Sequence, residues 1–337
     1  MSLNVEVSVI IPTYNRSRTI RAAVDSVLAQ AGLRLEIIVV DDGSSDGTYE
    51  IVRDYVEKGF ITYFKQENKG PAAARNSGIK NSNGEFVCFL DADDTLQMNS
   101  IQARLSACKS YPGLGLLFTD YTMVQLENGK SIVQSEKELE HIEFLTKIAQ
   151  GHIKSVDEDV YLFNNSIFYE LVLRCFIWTG TVMIPTHVFA DIGYFDEELR
   201  IAEDHDLWLR IARKYEIGFL DECTAEYVLH DGGITKNIPL YYDSSIKVRS
   251  RYLCDIPQSY QKKLKNKLAS FSFVKGYFYY ENKLYYEANR SFRQASSQNI
   301  YGFRYHLYQA LTMLPKGVID ELRRLKGCLT SRFVDIQ

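Results

Sequence analysis

Gly84-Glu85-Phe86-Val87-Cys88-Phe89-Leu90-Asp91-Ala92-Asp93-Asp94 is an apolar run that ends in three carboxylates within four residues. Unbroken apolar sequence of this length reads as a strand buried on both faces, the kind found in parallel sheets. Side chains alternate along extended backbone, so Asp91 and Asp93 are expected on one side of the sheet. Two close carboxylates at the end of a dry strand raise each other's proton affinity unless a cation sits between them. A divalent ion that takes hard oxygen ligands and carries phosphates answers that need. The plainer alternative makes Asp93 or Asp94 the cap of a helix starting near Leu96, with Gln97 completing a capping box. One cap accounts for one carboxylate, not three.

The same arrangement recurs on the N-terminal side. Val7 to Ile11 is a short strand stopped by Pro12, and Leu35 to Val40 is a second one ending in Asp41-Asp42-Gly43. Helical spacing over Arg18–Gln30 and Thr48–Glu57, a strand at Ile61–Phe64, and a helix opened by Gly70-Pro71 lie between these strands and the acidic one. Such alternation predicts a doubly wound, mostly parallel α/β sheet with flanking helices. Ligands of these sheets sit outside the carboxyl ends of the strands, where the Pro12 loop, the Asp41-Asp42 turn and Asp91–Asp94 converge. Further on, the pattern predicts a helix over Met98–Ser110, strands at Leu114–Phe118 and Thr179–Ile184, and a short helix over His187–Ile192. An amphipathic helix over Asp204–Tyr215 and a strand or strand pair over Ile217–Leu229 follow. From Gln125 to Phe176 the pattern weakens.

The 337 residues are 46% hydrophobic and 24% charged, an ordinary composition with ample material for a core. No apolar run reaches bilayer length, and the first residues lack the charged and apolar regions of a signal peptide. The six cysteines form no Cys-x-x-Cys pair, which argues against a zinc site and fits reduced thiols in a cytoplasm. Net charge is −4, but residues 240–337 hold 17 basic and 7 acidic residues against 22 and 36 in residues 1–239. That asymmetry suggests two jobs: a catalytic domain over 1–239 and a basic, Tyr-rich helical segment over 240–337.

Ile11-Pro12-Thr13-Tyr14-Asn15, Val40-Asp41-Asp42-Gly43-Ser44, Gly70-Pro71-Ala72-Ala73-Ala74-Arg75-Asn76, Leu90-Asp91-Ala92-Asp93-Asp94, Phe195-Asp196-Glu197 and Glu203-Asp204-His205-Asp206 stand in this order. Over residues 5–235 the set resembles the family-two glycosyltransferases, inverting and nucleotide-sugar-dependent enzymes of the GT-A fold, of the kind that build bacterial glycans and polysaccharides. By that resemblance Pro12, Thr13 and Tyr14 line a base pocket, and Asp42 accepts from the base; a carboxylate reads a uracil imide, which favours a UDP-sugar without excluding guanine. Arg75 would lie near the nucleotide phosphates, Asp91 near the ribose, and Asp93 on the Mg or Mn that bridges the diphosphate. His230 would reach the same metal or diphosphate. Trp178, Thr179 and Gly180 resemble the acceptor-side segment, with Trp178 stacking on a sugar or simply buried in the core.

Helix geometry supports one further role. Leu207, Trp208 and Ile211 share the face of Asp204, so its carboxylate points towards the body of the protein, whereas Asp206 can pair with Arg210 one turn on. Inverting transfer needs one base for the acceptor hydroxyl, and Asp204 matches the family's base, with Glu203 and His205 beside it. The expected substrates are a hexose or N-acetylhexosamine donor and a glycan or lipid-linked acceptor; nucleic acid is not an expected partner. A non-catalytic relative and a nucleotidyltransferase are the rival readings. A dinucleotide dehydrogenase would want Gly-x-Gly-x-x-Gly where Pro12-Thr13-Tyr14-Asn15 stands. For the basic tail, packing on the catalytic domain and peripheral binding to the anionic inner face of a membrane both stand open. Lys267–Gln298 resembles a single tetratricopeptide hairpin.

Overall fold

The computed structural model describes residues 5–127, 130–135, 153–157, 159–229, 237–297 and 303–327. The chain divides into two compact units, Met1–Gly233 and Ile234–Gln337.

The first unit opens with β1 (Val7–Thr13), α1 (Ile20–Leu28), β2 (Leu35–Asp41), α2 (Thr48–Glu57), β3 (Thr62–Lys65), α3 (Pro71–Lys80) and β4 (Phe86–Phe89). These strands pair in parallel in the order β3-β2-β1-β4, so the chain reverses direction across the sheet between β1 and β4. Valine and isoleucine dominate β1, where Ser8 is buried beside them, and fill the second half of β2, so both strands are covered on both faces. Pro12 sits inside β1 rather than stopping it. The Ile10 carbonyl accepts from Leu90 and the Thr13 carbonyl from Asp42, so backbone groups alternate between neighbours and Pro12 faces the side where β4 has already ended. A missing N–H costs nothing there.

Beyond β4 the expectations need two corrections. No helix starts at Leu96: Thr95–Leu96 form β5, antiparallel to Ala225 and Glu226, and α4 runs Ser100–Ser110. Asn99 precedes that helix without a side-chain cap bond, so the acidic turn is not its cap. The strand expected over Thr179–Ile184 is a 3₁₀ turn, Thr179–Thr181, followed by the three-residue β10 (Met183–Pro185). Gly180 explains the turn: a Cβ there would lie 2.7 Å from Cη2 of Trp178, so the backbone folds under the indole.

Two fourteen-residue strands, β6 (Leu114–Glu127) and β11 (Glu216–Leu229), pair in parallel. β10 lies antiparallel between β4 and β6, meeting β4 over Met183–Pro185 and β6 at Met183 alone. β7 (Lys130–Ser135), β8 (Ile153–Asp157) and β9 (Val160–Phe163) complete a mixed sheet, parallel over β3-β2-β1-β4 and at β6-β11, with the antiparallel β10 between them. α5 (Ile167–Leu173), α6 (Thr186–Ile192) and α7 (Glu203–Lys214) complete the first unit's helices among the described residues. Gly115 permits the close approach of Tyr215, whose Cβ would lie 2.2 Å from a Cβ added at Gly115. Gly115→Ala is expected to cost about 1–3 kcal/mol by overpacking, read from the urea midpoint; an unchanged midpoint would show that the strand can shift.

The second unit holds α8 (Ile238–Ser250), α9 (Gln258–Glu281), α10 (Tyr285–Ser297), α11 (Phe303–Leu311) and α12 (Lys316–Gly327). Some of its tyrosines build the core: Tyr280, Phe292, Ala288 and Ile319 are buried with Phe273, Tyr277 and Tyr308 against them, whereas Tyr286 is exposed. Rings meet edge to face, as at Tyr277–Tyr308 (5.6 Å) and Tyr280–Tyr308 (5.5 Å), the arrangement that their quadrupoles favour. α9 and α10 form a helical hairpin.

Candidate active site

The carboxyl ends of β1 and β2 are tied together by polar side chains. Ser44 Oγ accepts from the Asn15 amide (2.8 Å), Thr48 Oγ1 from Arg16 (3.0 Å), and Asn15 Oδ1 from Ser45 (2.9 Å). Asn15 takes a left-handed φ of 52°, which its short side chain tolerates. The result presents Tyr14 to solvent at 48% exposure while Pro12 and Thr13 stay buried. Thr13 Oγ1 is buried without a hydrogen-bond partner among the described residues.

Asp41 and Asp42 divide their work. Asp41 accepts from Tyr63 and from the Ser44 amide (2.7 Å) and shapes the turn. Asp42, 4% exposed, accepts from Gln66 Nε2 (2.9 Å) and from the amides of Lys69 (2.9 Å) and Gly70 (2.7 Å). It therefore holds the loop into α3, with a carboxylate's remaining lone pair for a further donor.

Asp91 to Asp94 do not continue β4. The Asp94 amide donates to the Asp91 carbonyl (3.0 Å), closing a turn, so strand alternation does not decide where these side chains point. Asp93 pairs with Arg16 at 3.0 Å. Asp94 is buried and accepts from the Val228 amide (2.8 Å). Burial, with the charges of Asp91 and Asp93, holds its carboxyl well above the usual range. Tyr227 lies in the same field, and its phenol is pushed up by burial and by Asp94, Asp93 and Asp91.

Arg75 is 5% exposed; Nη2 donates to Asp91 (2.8 Å) and Nη1 to Glu203 (2.6 Å), while its buried Nε has no hydrogen-bond partner among the described residues. The two carboxylates keep this guanidinium firmly protonated despite its burial. Arg75 thus bridges the acidic turn to α7. Burial pushes the Glu203 carboxyl up to about 7, against the pull of Arg75 and with Asp204 adding to the rise.

Asp204 opens α7 behind Ala202, which takes a left-handed φ of 64°. Leu207, Trp208 and Ile211 are buried, and Asp206 pairs with Arg210 at 2.9 Å, as the spacing requires. Asp204 Oδ2 accepts from Thr179 Oγ1 at 3.0 Å, which ties the start of α7 to the Thr179–Thr181 turn. Trp178 is half-buried among Tyr121 (4.8 Å) and Tyr227 (5.3 Å). Since Tyr227 faces the acidic turn, this aromatic cluster connects Trp178 to it. His230 lies outside the described residues.

Sequence reasoning missed Arg16, Tyr121, Tyr227 and Arg104. Arg104 had a signal: it stands three residues after Ile101 and four before Cys108, a charge on the apolar face of its helix. Tyr121 and Tyr227 had none, because strand spacing does not say which tyrosines become neighbours. A cleft of about 460 Å³ opens beside the β2 turn, lined by Asp41, Ser44, Tyr49, Tyr63 and Lys65 among others; none of the candidate residues lines it.

Asp91 and Asp93 supply oxygen donors suited to Mg or Mn, and one or two carboxylates suffice when a diphosphate brings the rest. The charge that raises Asp94 shows the local excess of carboxylates a cation would balance. Among the described residues no group of three acids, histidines or cysteines forms a protein-only cage.

The sheet and its flanking helices define the GT-A glycosyltransferase fold. It is shared with S. aureus TarS 1–349 in complex with UDP-GlcNAc (TM-score 0.53, 19% identity, 95% of this chain and 92% of that one). It is shared too with the mannosyltransferase PcManGT from Pyrobaculum calidifontis in complex with GDP-Man and Mn2+ (TM-score 0.58, 15% identity, 96% and 88%). Residues 8–121 match the family described as "Glycosyl transferase family 2". An uncharacterized glycosyltransferase of Rickettsia typhi is 34% identical over 229 residues, 68% of this chain and 65% of that protein. The chain spans between 31% and 65% of the length of the first curated relatives it matches. The fold is thus that of the GT-A glycosyltransferases, and residues 8–121 carry the match to glycosyl transferase family 2.

Proposed function

We propose that the chain is an inverting transferase that moves a hexose or N-acetylhexosamine from a UDP-sugar to a hydroxyl of a glycan or lipid-linked acceptor. One observation carries this reading: a single buried guanidinium, Arg75, binds Asp91 of the acidic turn and Glu203 beside Asp204. It supports a donor-side carboxylate and a base held at one cleft. Pro12, Thr13 and Tyr14 offer the base pocket, with the unsatisfied Thr13 hydroxyl and the exposed Tyr14 ring as its polar and stacking contacts. Asp204, oriented by Thr179, takes the acceptor proton as the hydroxyl attacks the anomeric carbon. Asp93 would hold the Mg or Mn, which supplies Lewis-acid charge for the departing diphosphate, with Asp91 beside it at the ribose. His230 is a further candidate for that site. Trp178 and Gly180 shape the acceptor side. Neighbours that bind UDP-GlcNAc and GDP-Man leave both nucleotides in the screen. Incubation with a panel of UDP- and GDP-sugars, followed for release of nucleoside diphosphate, tests the reading; pyrophosphate release instead would make the chain a nucleotidyltransferase.

Nucleotide binding is expected to need a divalent ion, because Asp91, Asp93 and Asp94 crowd one turn. Titrating UDP by calorimetry with Mn and then with a chelator checks this; equal affinity removes the metal from the proposal.

Among the described residues no helix is long and apolar enough to cross a membrane. A lipid-linked acceptor calls for surface attachment instead. α12 buries Ile319 but leaves Val318 and Leu322 exposed one turn apart, next to exposed Met313 and Leu314. The excess of 17 basic over 7 acidic residues in 240–337 complements anionic lipid, at roughly 1 kcal/mol per Lys or Arg near the surface. Salt-sensitive pelleting with phosphatidylserine vesicles is expected, and pelleting no higher than with neutral vesicles would leave the segment a packing element.

A further inference from the structure

Arg104 is a full charge in an apolar place. It is 0% exposed on α4, among the buried Ile101, Leu105 and Cys108. Its guanidinium meets only neutral oxygens among the described residues: Nε donates to Ser100 O (3.3 Å) and Nη2 to Ser100 Oγ (2.6 Å). Nη1 donates to the carbonyls of Gly180 (3.3 Å) and Val182 (3.2 Å). Burying a cation without an opposite charge is costly, and apolar residues of similar volume replace buried charges at little loss of stability. Packing alone gives no reason for an arginine here.

What the charge does is visible at the far end of its bonds. Nη1 grips the two carbonyls that flank Thr181, in the short 3₁₀ turn of Thr179–Thr181. Trp178 presses on that turn at Gly180, where not even a Cβ fits. Held from both sides, the turn carries Thr179, which is 3% exposed and donates to Asp204 Oδ2. A threonine side chain has few rotamers, so its hydroxyl goes where its backbone goes. We infer that Arg104 is a positioning residue for transfer: by clamping the acceptor-side turn it sets the Thr179 hydrogen bond that orients the Asp204 carboxylate. This rests on Asp204 being the base.

The test is a double-mutant cycle of Arg104→Met and Thr179→Val, with Arg104→Lys and Thr179→Ser as conservative partners. Turnover is followed as nucleoside diphosphate release from the donor selected by the panel above. Arg104→Met and Thr179→Val are each expected to lower kcat on the order of ten- to a hundredfold, with donor KM unchanged. The double variant should be no slower than the slower single one. Thr179→Ser should restore most activity, whereas Arg104→Lys, unable to hold two carbonyls, should not. Multiplying effects, or a donor KM that rises as kcat falls, would overturn the inference. If Arg104→Met fails to fold, Arg104→Lys takes its place in the cycle and the same outcomes decide. The base reading fails separately, when Asp204→Asn keeps turning over.

Discussion

Asp204→Asn is expected to stop sugar transfer while leaving donor nucleotide binding nearly intact. The amide keeps the shape of the side chain and can still accept from Thr179 at Oδ, but it cannot take a proton from the acceptor. Loss of a general base typically costs about 10²–10⁴ in rate. Asp93→Asn should behave differently, weakening metal-dependent nucleotide binding and transfer together. UDP affinity by calorimetry and nucleotide release with acceptor separate the two variants. Near-normal turnover of Asp204→Asn would reassign the base, with Glu203 or Asp206 next in line, each released from its arginine partner.

The second large effect is structural. Arg75→Met removes the cation from between Asp91 and Glu203, of which Glu203 is 6% exposed. Stripping one partner from a buried ion pair costs about 3–5 kcal/mol; Glu203, already pushed up to about 7, takes a proton once Arg75 is gone, which puts Arg75→Met at the low end of that range. Glu203→Gln is milder, about 1 kcal/mol, because the amide oxygen still accepts from Arg75, which keeps Asp91 as well. Urea unfolding of the two variants should rank them in that order. Equal midpoints for Arg75→Met and wild type would show that the bridge contributes nothing to the fold.

Much of the architecture was readable from local pattern. Apolar runs of four to seven residues marked β1, β2 and β4, and their ends gathered where such sheets place ligands. The i, i+4 spacing of Asp206 and Arg210 anticipated their bond. What could not be read depends on neighbours far along the chain. Arg75 looks like any helical arginine until Glu203, 128 positions away, accepts from it. Asp42 reads as a turn residue or a ligand, yet its bonds to Gln66, Lys69 and Gly70 show it also building the next loop. The reversal at β10 turned on Gly180 beneath Trp178, a contact between near neighbours that no hydrophobic period encodes.

β10 makes the sheet weakest along one line. Three residues join the parallel half that holds β1, β2 and β4 to the half that holds β6 and β11, and only Met183 pairs with both β4 and β6. Proteins open locally where few backbone bonds must break, so this seam is where the sheet would tear before it melts. Deuterium uptake at Met183 and Ile184 should then outpace that at Val9 and Ile38, deep in the parallel half. A ligand gripped by residues on both sides of the line would slow that uptake without touching β10, which makes the seam a gauge of whether donor and acceptor sides are engaged at once.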